Sequence, residues 1–89
     1  MSDVQIEEDV HWDGHKLSVW VVALGNRICC EIPRDTVHRI KLYSDAITRE
    51  IERDKNDIVD RLRDFISAKA AATNELSFEL RPTDFPVGI

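Results

Sequence analysis

The sequence predicts an α+β domain: a β-hairpin, a short helix, a long helix and a last strand, with the helices packed on one face of a small antiparallel sheet. Three observations predict it. Residues 16–24 and 27–32 are Val/Ile-rich runs separated by the two residues Gly25-Asn26, which is a hairpin pattern. Residues 44–72 contain no Gly or Pro, and Ile47, Ile51, Ile58, Leu62, Phe65 and Ile66 recur along them at helical spacings on one stripe. Leu76, Phe78 and Leu80 then alternate with Ser77 and Glu79 at the two-residue period of a strand. Helices between strands, in a chain this short, give a two-layer α+β sandwich.

The elements follow in chain order. Residues 1–9 are mostly acidic and polar, and read as a flexible N-terminal arm, or as an edge segment using Val4 and Ile6. Residues 10–89 form the single α+β domain. Val10 to Trp12 is a short extended piece, and Asp13-Gly14 marks a turn. In the hairpin, Gly25 at the first loop position suits a type II′ turn. That turn would set Ala23 against Ile28, Val21 against Cys30 and Val19 against Ile32, making with Leu17 one apolar face. The other face carries Ser18, Trp20, Val22, Leu24, Arg27, Cys29 and Glu31, and is greasier than a solvated face should be. Pro33 ends the strand and opens a short helix presenting Val37 and Ile40 inward. Ser44 is the expected N-cap of the long helix. Its stripe has one weak turn, occupied by Asp54 and Lys55, which either lies off the sheet in water or marks a break capped by Asn56 or Asp57. A straight helix of this length spans roughly 40 Å, more than so small a domain, so part of the stripe calls for strands or a second subunit to cover it. Phe85 is expected to anchor the C-terminal turn onto the core.

Composition narrows the function. Eighty-nine residues make one domain, burying roughly two-thirds of the unfolded surface. A net charge of −5 without a Lys/Arg cluster argues against nucleic acid and against an anionic membrane surface as partners. The acidic N-terminus is not a signal peptide, and the longest apolar run, residues 19–24, is too short to span a bilayer. Cys29 and Cys30 are adjacent and cannot staple distant segments, which points to the cytoplasm.

The hairpin ending in Cys30-Glu31-Ile32, the short helix, Ile51-x-x-x-Lys55-x-x-Ile58 and Thr83-Asp84-Phe85 together resemble domain-of-unknown-function family 1488, a family of small bacterial proteins. The resemblance covers about residues 13–85. The family's pattern has Arg where Lys55 stands; Lys keeps the charge but lacks the bidentate fork. The resemblance implies a fold and a bacterial cytoplasmic origin, and no reaction.

Four sets of residues are candidates for function. Asp9, His11, Asp13 and His15 alternate, and on an extended strand His11 and His15 could join the carboxylates around a divalent metal. Asp13-Gly14 is expected to turn the chain and destroy that alignment, so no metal or cofactor is expected. Cys29 and Cys30 lack the spacing of a redox or zinc motif and read as one core and one partly exposed residue. His38 has no nucleophile or carboxylate at a motif spacing, and no Gly-rich phosphate loop occurs. No catalytic residue is therefore assigned, and an enzyme is not the favoured reading. Trp20, Val22, Leu24 and Cys29 are the favoured feature: a Trp beside aliphatics on a sheet face without helices is typical of an interface anchor. The bland alternative is that the N-terminal arm folds over them with Ile6 or Trp12. The sequence thus points to a non-enzymatic, self-associating interaction module, a homodimer or one part of a complex with a partner of unknown identity. A small metal-dependent enzyme or ligand-binding protein is the alternative.

Overall fold

The computed structural model describes residues 4–86. The order is β1 (Gln5–Trp12), β2 (Lys16–Ala23), β3 (Asn26–Pro33), α1 (Arg34–Val37), a 3₁₀ turn (Lys41–Tyr43), α2 (Thr48–Arg53), α3 (Lys55–Arg61), α4 (Arg63–Ala72), β4 (Ser77–Glu79) and a second 3₁₀ turn (Pro82–Asp84). This is an α+β fold. The four strands lie in the order β1-β2-β3-β4. The first two pairings are antiparallel, but β4 runs parallel to β3, with Cys30 opposite Phe78. The sheet is therefore mixed, which corrects the expectation of an antiparallel one. The helices between β3 and β4 act as a crossover, which returns the chain to the end of the sheet where β3 began.

Residues 5–9, expected in a flexible arm, are the first part of β1, so the edge-segment alternative describes them. Ile6 pairs with Val21 and Val10 with Val19 on the core face, and this apolar pairing draws the acidic segment into the sheet. Between those pairs β1 sets Glu7, Glu8 and Asp9 against Trp20 alone, a bulge. Residues 1–3 of the expected arm and 87–89 of the expected domain lie outside the described residues.

The hairpin turns at Leu24-Gly25 rather than Gly25-Asn26. Leu24 has φ +53° and Gly25 φ +81°, and positive φ at both central positions is the type I′ turn whose twist matches the strands. The register is displaced by two residues: Val21 faces Ile28, Val19 faces Cys30 and Leu17 faces Ile32. A displacement of two leaves every side chain on its own face. Leu17, Val19, Val21, Ala23, Ile28, Cys30 and Ile32 are all buried as expected. The observed register extends the β2–β3 ladder from Lys16–Pro33 to Ala23–Asn26. Against that gain stands a left-handed backbone at Leu24, which costs about 1–2 kcal/mol in a residue with a Cβ.

The predicted long helix begins at Thr48, not at Ser44, and is interrupted at Asp54 and Leu62, where φ/ψ are −105°/17° and −99°/4°. The helical ladder stops and restarts at each: Asp54 N–H donates to Glu50 O at 3.0 Å and Asp54 O accepts from Ile58 N–H at 2.9 Å, while Leu62 N–H donates to Ile58 O at 3.2 Å and Leu62 O accepts from Ile66 N–H at 2.9 Å. The segment is therefore three short helices in line, as the break alternative expected, with the first break at Asp54 rather than at Asn56 or Asp57. The breaks fit the stripe into a molecule whose longest extent is 35 Å. Ile51, Ile58, Leu62 and Ile66 are all fully buried by their own chain. Ile47 drops out of the stripe and is 58% exposed. The core does not need a second subunit to cover the helix, which removes that part of the case for self-association.

Polar contacts hold the layers in place. The Tyr43 hydroxyl donates to Asp57 in α3 at 2.7 Å and lies 3.3 Å from Asp54 at the break before it. Arg53 pairs with Asp54 and Arg61 with Asp57. The buried Thr36 hydroxyl donates to Leu80 O at 2.7 Å, while Leu80 N–H donates to Glu31 O at 2.8 Å, which ties α1, β3 and the end of β4 together. Phe85 is buried with its ring 5.5 Å from Phe65, as expected of the anchor.

Two outcomes are expected. Leu24→Asn keeps the type I′ turn with a residue that tolerates it and should raise stability by about 1 kcal/mol. Urea unfolding reads the change, and a loss of stability would mean that contacts of the Leu24 side chain outweigh its backbone strain. The second outcome concerns pH. The Arg53 fork, followed by the Tyr43 hydroxyl, holds the Asp54 carboxyl below the usual range; Arg61 and then Tyr43 do the same for Asp57. Burial, then the Asp57 hydrogen bond, pushes the Tyr43 phenol up to about 12. Lowered carboxyls contribute stability above their ordinary range that is lost as pH falls through their folded values. The raised phenol contributes stability below its ordinary value of 10.0 that is lost as pH climbs toward 12. Thermal stability across pH should therefore decline at both ends, and Tyr43→Phe should soften both declines, the alkaline one persisting in part through the buried Cys30 thiol, which is also pushed up to about 12. A profile unchanged in Tyr43→Phe would exclude this network as its source.

Candidate interaction surface

Strand alternation divides the sheet into two faces. The helices cover the face of Leu17, Val19 and Val21, and the core forms there. Trp20, Val22 and Cys29 lie on the other face, half-buried by their neighbours. Trp20 stands directly opposite Cys29, and Val22 opposite Arg27. The segment that might have covered them faces the other way: Ile6 and Trp12 pair with Val21 and Leu17 and pack against the core. Leu24, expected with the Trp20 set, is in the turn and 72% exposed. It lines a cleft of about 350 Å³ with Ile28, Ala70 and the 77% exposed Leu76 at the hairpin end of the molecule. The strip is therefore Trp20, Val22 and Cys29, with Leu24 at its tip.

Charged groups on this face are paired across strands. Lys16 donates to Glu31 at 2.7 Å, and Arg27 donates to Glu7 through Nε at 2.8 Å and Nη2 at 3.2 Å. The Arg27 guanidinium lies 4.2 Å from the centre of the Trp20 ring. The hydrogen bond to Glu31 raises the Lys16 ammonium, and that to Glu7 raises the Arg27 guanidinium, above their usual values. The Glu7–Arg27–Trp20 stack was not legible in the sequence. Its signal, had the register been known, is the acidic bulge opposite Trp20.

The remaining candidates separate. His11 approaches Asp9 at 3.3 Å on the exposed part of β1. Asp13 instead accepts the backbone N–H groups of His15 and Lys16 at 2.8 and 2.9 Å and closes the turn. Those two bonds lower its carboxyl. Gly14 takes φ +95° there. The structure thus does not bring His11, His15 and the carboxylates together, and among the described residues no three His, Cys, Asp or Glu side chains form a metal-ligand group. Cys29 and Cys30 are free thiols on opposite faces. Burial raises both, Cys30 up to about 12, so neither carries the thiolate character of a nucleophile. The His38 ring meets Ala46 O at 3.0 Å through Nε2, a contact that ties α1 to the chain before α2.

No helix among the described residues is long and apolar enough to cross a membrane. Comparison of the chain with protein-family models, with curated proteins and with solved structures finds no match.

Proposed function

We propose that this chain is a non-enzymatic interaction module that self-associates as an isologous homodimer through its uncovered sheet face, with Trp20 as the anchor. The observation that carries the reading is the strip of Trp20, Val22 and Cys29 on a face that, among the described residues, no helix covers. Trp is among the residues most enriched at interface anchors, and it lies near the centre of this face.

Geometry favours a second copy as the occupant. Three strands of eight residues and a fourth of three, about 4.8 Å apart, give a face of roughly 15 by 25 Å in plan with a short β4 edge. That is the scale of a small interface, below the ~800 Å² per partner of a standard dimer. The chain as a whole carries −5 and repels itself. The Lys16–Glu31 and Arg27–Glu7 pairs are each neutral within this face, which leaves the exposed Glu79 at the β4 edge as the acidic group that two approaching copies must keep apart. Two such sheets stack about 10 Å apart, leaving room for the Trp20 side chains between them.

The same reading extends to family and place. The residues of the Cys30-Glu31-Ile32, Lys55 and Thr83-Asp84-Phe85 motifs support a proposed membership of domain-of-unknown-function family 1488. Two unbridged neighbouring cysteines support a reducing cytoplasm.

Trp20→Asp places a charge at the centre of the proposed interface. Sedimentation should show the dimer lost at concentrations where the unsubstituted chain is dimeric, with helical circular dichroism unchanged. A dimer that survives the substitution contradicts the assignment of this face.

A further inference from the structure

The Trp20 ring is the centre of the proposed interface, yet it is not bare. The Arg27 guanidinium lies over it at 4.2 Å, and Glu7 holds that guanidinium by two hydrogen bonds of 2.8 and 3.2 Å. Glu7 reaches this position because β1 bulges there, setting Glu7, Glu8 and Asp9 against Trp20 alone. Behind the bulge, toward α3, lies a cleft of about 350 Å³ lined by Ile6, Glu8, Val10, Asn56 and Val59. Asn56 bridges it by donating to Glu8 O at 2.7 Å. The bulge thus has space behind it and a charged clasp in front.

We infer that the Glu7–Arg27 pair is an autoinhibitory clasp over Trp20, and that it must open before a second copy can pack on the ring. The inference rests on the self-association proposed above. Closed, the planar fork of Arg27 occupies the ring face that an opposing apolar side chain would take. Open, Arg27 turns to solvent and the ring is free. Arg27 is exposed and Glu7 half-buried, and an ion pair this open to solvent is weak, so the clasp holds by a margin that binding can overcome. Salt weakens such a pair further by screening. The clasp therefore makes self-association stronger, not weaker, at high ionic strength.

The test uses the full chain and Glu7→Gln, which keeps the shape of the side chain and removes its charge. Two readouts are needed: the dimer dissociation constant by sedimentation, and acrylamide quenching of Trp20 in a Trp12→Phe background at dilutions where the protein is monomeric. The Trp20 indole N–H resonance in the chain with both tryptophans repeats the second readout without that substitution. Glu7→Gln is expected to lower the dissociation constant about fivefold, to increase quenching in the monomer, and to reduce the strengthening by salt to the part that screening of the chain's net charge supplies. An unchanged or raised dissociation constant would overturn the inference, the latter by showing that the pair belongs to the interface itself. Unchanged quenching in the monomer would overturn it too, because the ring was then never covered. A dimer that persists in Trp20→Asp would refute the interface itself, and the quenching result would still report whether Glu7 covers the ring.

Discussion

The structure depends on one constraint: a single layer of helices covers a single face of the sheet. With a period of two, each strand has one row of side chains to bury, and Leu17, Val19, Val21, Ile28, Cys30 and Ile32 form that row. Most of the apolar stripe is drawn to it, so Ile51, Ile58, Leu62 and Ile66 are fully buried by their own chain while Phe65 is half-buried and Ile47 stays exposed. A straight helix would overshoot the sheet, so the segment breaks at Asp54 and Leu62 into three short helices in line. Tyr43 ties the first break to the preceding turn through Asp54 and Asp57. The same layer acts as the crossover that brings β4 back parallel to β3, where Thr36 and Glu31 fix Leu80. The row of side chains on the far face is left without a layer of its own.

Much of this was legible in the sequence because it rests on periodicity. The faces of the hairpin followed from alternation alone, and a two-residue error in register could not disturb them. The burial of Ile51, Ile58, Leu62 and Ile66 followed from helical spacing, and the anchoring of Phe85 from an aromatic residue in a polar turn. What was not legible depends on contacts between distant residues. The strained turn at Leu24 is favoured by the ladder it completes, whereas local preference pointed to Gly25 first. The entry of residues 5–9 into the sheet depends on Ile6 meeting Val21, a pairing hidden under three consecutive acidic residues. The parallel direction of β4 depends on where a broken helix delivers the chain. The Glu7–Arg27–Trp20 stack depends on the bulge, and so required the register first.

The same geometry decides which kind of function the far face suits. Its thiol is raised by burial. His11 and His15 are spent on no common centre, because Asp13 turns the chain between them. What remains is a sheet face with a Trp near its centre, the kind of side chain enriched at interface anchors.

The central claim is that a second copy supplies the layer this face lacks. Hydroxyl-radical footprinting across a series of protein concentrations, read alongside the mass in solution, tests it most directly. The account predicts that Trp20 and Val22 become protected in step with dimer formation, while Leu42 and Ile47, exposed on the helical layer, stay reactive throughout. Dimer formation with Trp20 equally reactive at every concentration, or protection of Leu42 and Ile47 in its place, would contradict it.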